Sequence, residues 1–182
     1  MNLQPSFDMN MKKTWTALTL LIGALALPAR AAEAVSDAQI AAIVVAANQV
    51  DIDAGNLAAT TSTDATVKEF ASKMVADHTS VNKAAVDLVT KLKVTPAPNA
   101  TSKSLLDGGR MNLENLRKLT GKAFDKAYVD HEVVYHEQVI AAIDSTLIPN
   151  ASNAELKALL VKVRPAFVEH LNHAKHLQST LK

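Results

Sequence analysis

The chain has 182 residues, 19 of them basic and 18 acidic, for a formal net charge of +1. That balance speaks against a nucleic-acid partner, which requires a phosphate-neutralising basic surface, and the absence of cysteine excludes a disulfide framework, a thiolate metal site and a lipoprotein anchor. Few glycines, few aromatics and abundant alanine favour helix over sheet.

The first element reads as a targeting signal. Lys12 and Lys13 precede an apolar run from Thr14 to Leu27, and Ala29-Arg30-Ala31 supplies small residues for cleavage. The run is too short to span a bilayer comfortably. Residues 1–31 are therefore assigned to a signal peptide, with Met9 and Met11 as alternative starts, and 32–182 to one domain large enough for a real core. Removing the signal leaves 16 basic and 17 acidic residues. The product is expected in the periplasm, free or associated with the outer membrane. It has no transmembrane span, and it lacks the alternating segments of about ten residues that build a membrane barrel.

Four amphipathic helices follow. Ser36-Asp37-Ala38-Gln39 has capping-box form, and behind it Ile40, Val44, Ala47, Asp51, Ala54 and Ala58 recur at helical steps. The second helix carries Val67, Phe70, Met74, His78, Val81 and Ala85 on its stripe. A linker around Thr61 to Thr63 is short enough to make these two antiparallel neighbours. The next connection is long. It leaves through Pro96 and Pro98, passes a lesser helical segment from Leu105 to Leu119 that Gly108-Gly109 is expected to interrupt, and breaks at Thr120-Gly121.

The third main helix, Lys122 to about Asp144, allows two registers. One contains Phe124, Tyr128, His131 and Tyr135, the other Val129, Glu132, His136 and Val139. After a stretch around Thr146 to Ala151, Ser152-Asn153-Ala154-Glu155 caps the last helix, whose stripe includes Leu156, Leu160, Phe167, His170, Ala174 and Leu177. The expected architecture is all-α: an antiparallel four-helix bundle with one long crossover between helices two and three, which is the ferritin-like arrangement. Asp77-His78 with Lys83 is echoed by Glu169-His170 with Lys175, as a pairing of the second helix with the last would require.

Asp51, His78, His136 and His170 each fall on a core-facing stripe. They lie 14, 14, 14 and 18 residues beyond Asp37, Asp64, Lys122 and Ser152 respectively. At about 1.5 Å per residue these depths agree to within roughly 6 Å, placing all four near the middle of the bundle.

Met74 to Thr79, Phe124 to Val129 running on to His136, and Pro165 to Leu171 with Ala174-Lys175 resemble marker segments of an exported bacterial family, domain of unknown function 4142. The resemblance covers about residues 36 to 181. It implies a ferritin-like fold, an envelope location and no assigned activity. Asp51 stands where that family commonly has Glu, and His131 stands near its usual Met.

Imidazole and carboxylate donors converging from separate helices suit one divalent transition metal. No Glu-x-x-His occurs, which disfavours a di-iron carboxylate centre. The metal ligands expected are Asp51, His78, His136 and His170, with Asp77, Tyr128, His131, Glu132 and Glu169 as supporting or alternative groups. The sequence carries no nucleophile elbow and favours no enzymatic reaction. Two functions remain open: an envelope module binding a metal ion or small polar ligand at mid-bundle, and a structural or interaction protein whose polar centre fixes helix packing. Neither reading specifies a homo-oligomer or an envelope partner.

Overall fold

A computed structural model describes residues 34–181, so residues 1–31, expected to be a signal peptide, lie outside the described residues. Those residues are all-helical, in five helices: α1 Asp37–Thr61, α2 Ala65–Lys91, α3 Ala100–Leu116, α4 Gly121–Ala142 and α5 Ala154–Thr180. No described helix is long and apolar enough to cross a membrane. At the start of α1 the Ser36 hydroxyl accepts from Gln39 N and the Gln39 side chain accepts from Ser36 N, the reciprocal box read from the sequence. Asp64 starts α2 by accepting from Thr66 N and Val67 N.

Packing places α1 against α2, α4 against α5, and α2 against α5. Two apolar cores form between these helices. One gathers Ala54, Ala58, Phe70, Met74, Phe124, Tyr128 and Leu177; the other gathers Ile40, Ile43, Ala85, Ile143, Leu160 and Phe167. Helices α1 and α5 run from the second core to the first, and α2 and α4 run the opposite way. Between the cores each contributes polar residues: Asn48 and Asp51, His78, Glu132 and His136, and His170.

The crossover departs from expectation. Helix α3 starts earlier, capped by Asn99, and continues unbroken through Gly108 and Gly109. The reason is packing: a Cβ at Gly109 would lie 2.7 Å from a Val50 methyl, so glycine there lets α3 settle on α1 instead of breaking the helix. The connection before α5 is also shorter than expected. Helix α4 passes directly into a π-helical turn, Ile143–Leu147, and a further turn, Ile148–Asn150. The cap of α5 is Asn153, one residue past Ser152, and accepts from Glu155 N and Leu156 N. Ser152 N and Asn153 N donate instead to the Asp37 carboxylate at 2.9 and 3.0 Å, tying this corner to the first turn of α1.

Candidate metal centre

The polar layer is buried. Asp51, His78, Glu132, His136 and His170 are each between 0% and 2% exposed, so any group there without a protein partner is also cut off from bulk solvent. One ring nitrogen from each of His78, His136 and His170 lies within 4.8 Å of the others. The ring centroids are 5.1 to 5.6 Å apart. Three helices supply them: α2, α4 and α5.

Each ring is held from behind. Asn48 Nδ2 donates to Val44 O at 2.7 Å, which turns Asn48 Oδ1 toward His78, and His78 Nδ1 donates to it at 2.9 Å. His136 Nδ1 donates to the Glu132 carbonyl at 3.0 Å. His170 Nε2 donates to Asp77 Oδ2 at 2.8 Å, and Lys73 Nζ donates to the same oxygen at 2.9 Å. All three acceptors lack protons, so these bonds fix the tautomers. The lone pairs that remain are on His78 Nε2, His136 Nε2 and His170 Nδ1. All three atoms are buried without a partner.

Burial keeps these imidazoles neutral. The His78 pKa is pushed down to about 2, mainly by burial and further by His136 and His170. Burial lowers His136 to about 4 against the pull of the Glu132 carbonyl. His170 is also lowered by burial, which outweighs its bond to Asp77. Phe167 covers the cluster edge-on, 5.1 Å from the His78 ring.

The expected set of four divides into two. Asp51 Oδ2 approaches His78 from its anchored side, 3.4 Å from Nδ1, and stands outside the group that the three rings form. It groups instead with Glu132 and His136, one donor atom of each lying within 4.8 Å of the others. Burial raises the pKa of both acids, Glu132 to about 8, and the Glu132 charge raises Asp51 further. Without a bound cation, the pair therefore retains a proton at neutral pH.

The supporting residues also separate. Asp77 anchors His170, whereas Glu169 is exposed and only approaches Lys73, at 3.9 Å. The ambiguity on α4 resolves into a drifting stripe: Phe124, Tyr128, Glu132 and His136, four residues apart, all face inward. His131 is outside both groups and stacks on Tyr135 at 5.6 Å, while Tyr135 Oη donates to Ala47 O. Asn48 escaped the sequence reading, although its position one turn before Asp51 could have flagged it. His173, one turn beyond His170 on α5, packs edge-on against Phe70 with ring centroids 5.0 Å apart.

The three open nitrogens, with backing acceptors, match how metal-binding histidines are oriented in proteins. Imidazole donors of this kind suit zinc, copper, iron or nickel over calcium or magnesium. A family model described as a domain of unknown function, DUF4142, matches residues 23–177. No curated protein and no solved structure matches the chain.

Proposed function

The chain belongs to the DUF4142 family, whose description assigns no activity, and we propose that it binds one transition-metal ion through His78 Nε2, His136 Nε2 and His170 Nδ1. The observation that carries this reading is three clustered neutral imidazoles with fixed tautomers and no protein partner for their remaining lone pairs. A self-satisfied polar network would use those lone pairs. Three protein donors also leave a coordination position for water or a small polar ligand. Asn48, Asp77 and the Glu132 carbonyl orient the rings, and Phe167 keeps water from one side.

The wider proposal is an exported envelope protein with a ferritin-like bundle, working in the periplasm or at the outer membrane. Helix directions and the single crossover support the bundle, and the basic-then-apolar amino terminus supports export. The alternative function is structural: a polar layer that fixes helix register. Its supporting observation is that the anchoring bonds are complete without an ion.

Elemental analysis and thermal melting of untagged protein, with and without chelator, separate these readings. Metal binding predicts one zinc-like equivalent per chain and a melting temperature lowered by chelator, because a ligand of the native state stabilises it by about 4 kcal/mol at 1,000-fold excess over Kd. His78→Gln and His170→Gln should lose that equivalent and the chelator response. Wild-type protein that takes up no zinc, copper, iron or nickel, and whose melting ignores both metal and chelator, would leave the structural function.

A further inference from the structure

The imidazole triad leaves the neighbouring acids unused. Asp51 on α1 and Glu132 on α4 meet in the buried layer, and apart from each other none of their four carboxylate oxygens has a hydrogen-bond partner. Among the described residues, no lysine or arginine pairs with either acid; the ion pairs of those cations go to Asp77, Asp87, Asp107, Asp130, Asp144, Glu137, Glu155 and Glu169. Two carboxylates withdrawn from water are tolerated only with a proton or a cation between them.

A third group points to the same place. Tyr128 lies one turn before Glu132 on α4, is fully buried, and its hydroxyl has no partner either. The charges of Glu132 and Asp51 both bear on that hydroxyl, adding to the effect of burial in raising its pKa. An acid pair that merely shared a proton would leave the other carboxylate oxygens and this hydroxyl unsatisfied together. A cation with its water would engage them.

We propose that Asp51 and Glu132 hold a second divalent cation beside the imidazole-held ion, with Tyr128 at its edge and His136 between the two subsites. This deepens the metal-binding reading and rests on it for the first ion. His136 Nδ1 is committed to the Glu132 carbonyl, so its single free nitrogen serves the triad and the second ion depends on carboxylate oxygen. The subsites therefore differ in preference. Oxygen donors suit manganese(II), whereas three imidazoles suit zinc or copper. Two carboxylates also neutralise a dication in a region that water cannot screen.

The test uses zinc and manganese as probes on the full chain. Protein given one equivalent of zinc is titrated with manganese(II), and free manganese is counted from its six-line EPR spectrum while zinc is measured by elemental analysis. The expected result is one manganese bound per chain in addition to zinc. Asp51→Asn with Glu132→Gln should lose the manganese and keep the zinc, and the single variant Asp51→Asn gives the same readout should the double variant not fold. His78→Gln with His170→Gln should lose the zinc. Manganese retained without zinc in the wild type would overturn only the triad reading. Zinc binding with no added manganese, or manganese binding indifferent to the acid-to-amide changes, would overturn the second site.

Discussion

The two apolar cores on either side of the polar layer are built differently. The one containing the α1–α2 turn is filled by large side chains, with Phe70, Met74, Phe124 and Tyr128 all at 0% exposure. The other leaves a cavity of about 200 Å³, lined by Ile43, Val44, Leu160 and Phe167 among others. Asn48 and Phe167, which touch the histidine cluster, belong to that cavity wall. The π turn also contributes Ile143 and Leu147 to it, and such turns occur often at functional sites. On the cavity side, Phe167 and Asn48 stand between the open space and the imidazoles.

The largest expected difference between the cores comes from truncation. Phe70→Ala should cost about 3–5 kcal/mol, since its tightly packed neighbours cannot close the hole. Leu160→Ala should cost about 2–3 kcal/mol, at the low end for a buried leucine, because its surroundings already stand apart. Urea unfolding of both variants gives the comparison, and equal losses would break it.

A smaller effect separates the layer from both cores. In metal-free protein the folded pKa of His78 is depressed to about 2, whereas an unfolded histidine titrates near 6.5. The unfolded chain therefore binds the additional proton, and stability present above pH 6.5 is lost on acidification. Between pH 7 and 5 the loss from this residue should be on the order of 2 kcal/mol. Glu132 slopes the other way, its raised folded pKa favouring the native state at low pH. The informative measurement is the difference in melting between wild type and His78→Gln over this range. Parallel curves would show that His78 does not titrate in this manner.

The smallest effect concerns the crossover helix that joins the cores. Gly109→Ala should gain helix propensity yet lose about 1 kcal/mol net, because a new Cβ meets Val50 Cγ2 at 2.7 Å, Cγ1 at 3.1 Å and Cβ at 3.4 Å. No single rotation of Val50 clears all three. Val50→Ala in the same chain should restore part of the loss, with a double-mutant cycle in urea reporting the coupling.

Much of this arrangement was legible in hydrophobic spacing. Stripes on α1, α2 and α5 placed Asp51, His78 and His170 inward, and counting from helix starts put them at a common level. The same counting could not tell which side of an imidazole Asp51 would approach, since that depends on rotamers and on Asn48. Helix α4 resisted because inward residues at steps of four drift around the axis, taking Phe124 and Tyr128 from one register and Glu132 and His136 from the other. Gly109 misled because glycine within a helix reads alike whether it breaks the rod or admits a neighbour. The distinction required knowing that Val50 lay opposite.

Helix α1 is enclosed by α2, α3 and α4, with thirteen of its 25 residues buried against seven of 27 in α2. It carries both Asn48 and Asp51, so part of the layer is mounted on the rod least able to loosen locally. Its central amide hydrogens should exchange with deuterium only through events that dismantle the whole bundle. An ion held in part by Asp51 would be tied to that rod, and its release should slow in step with the exchange of the central α1 amides.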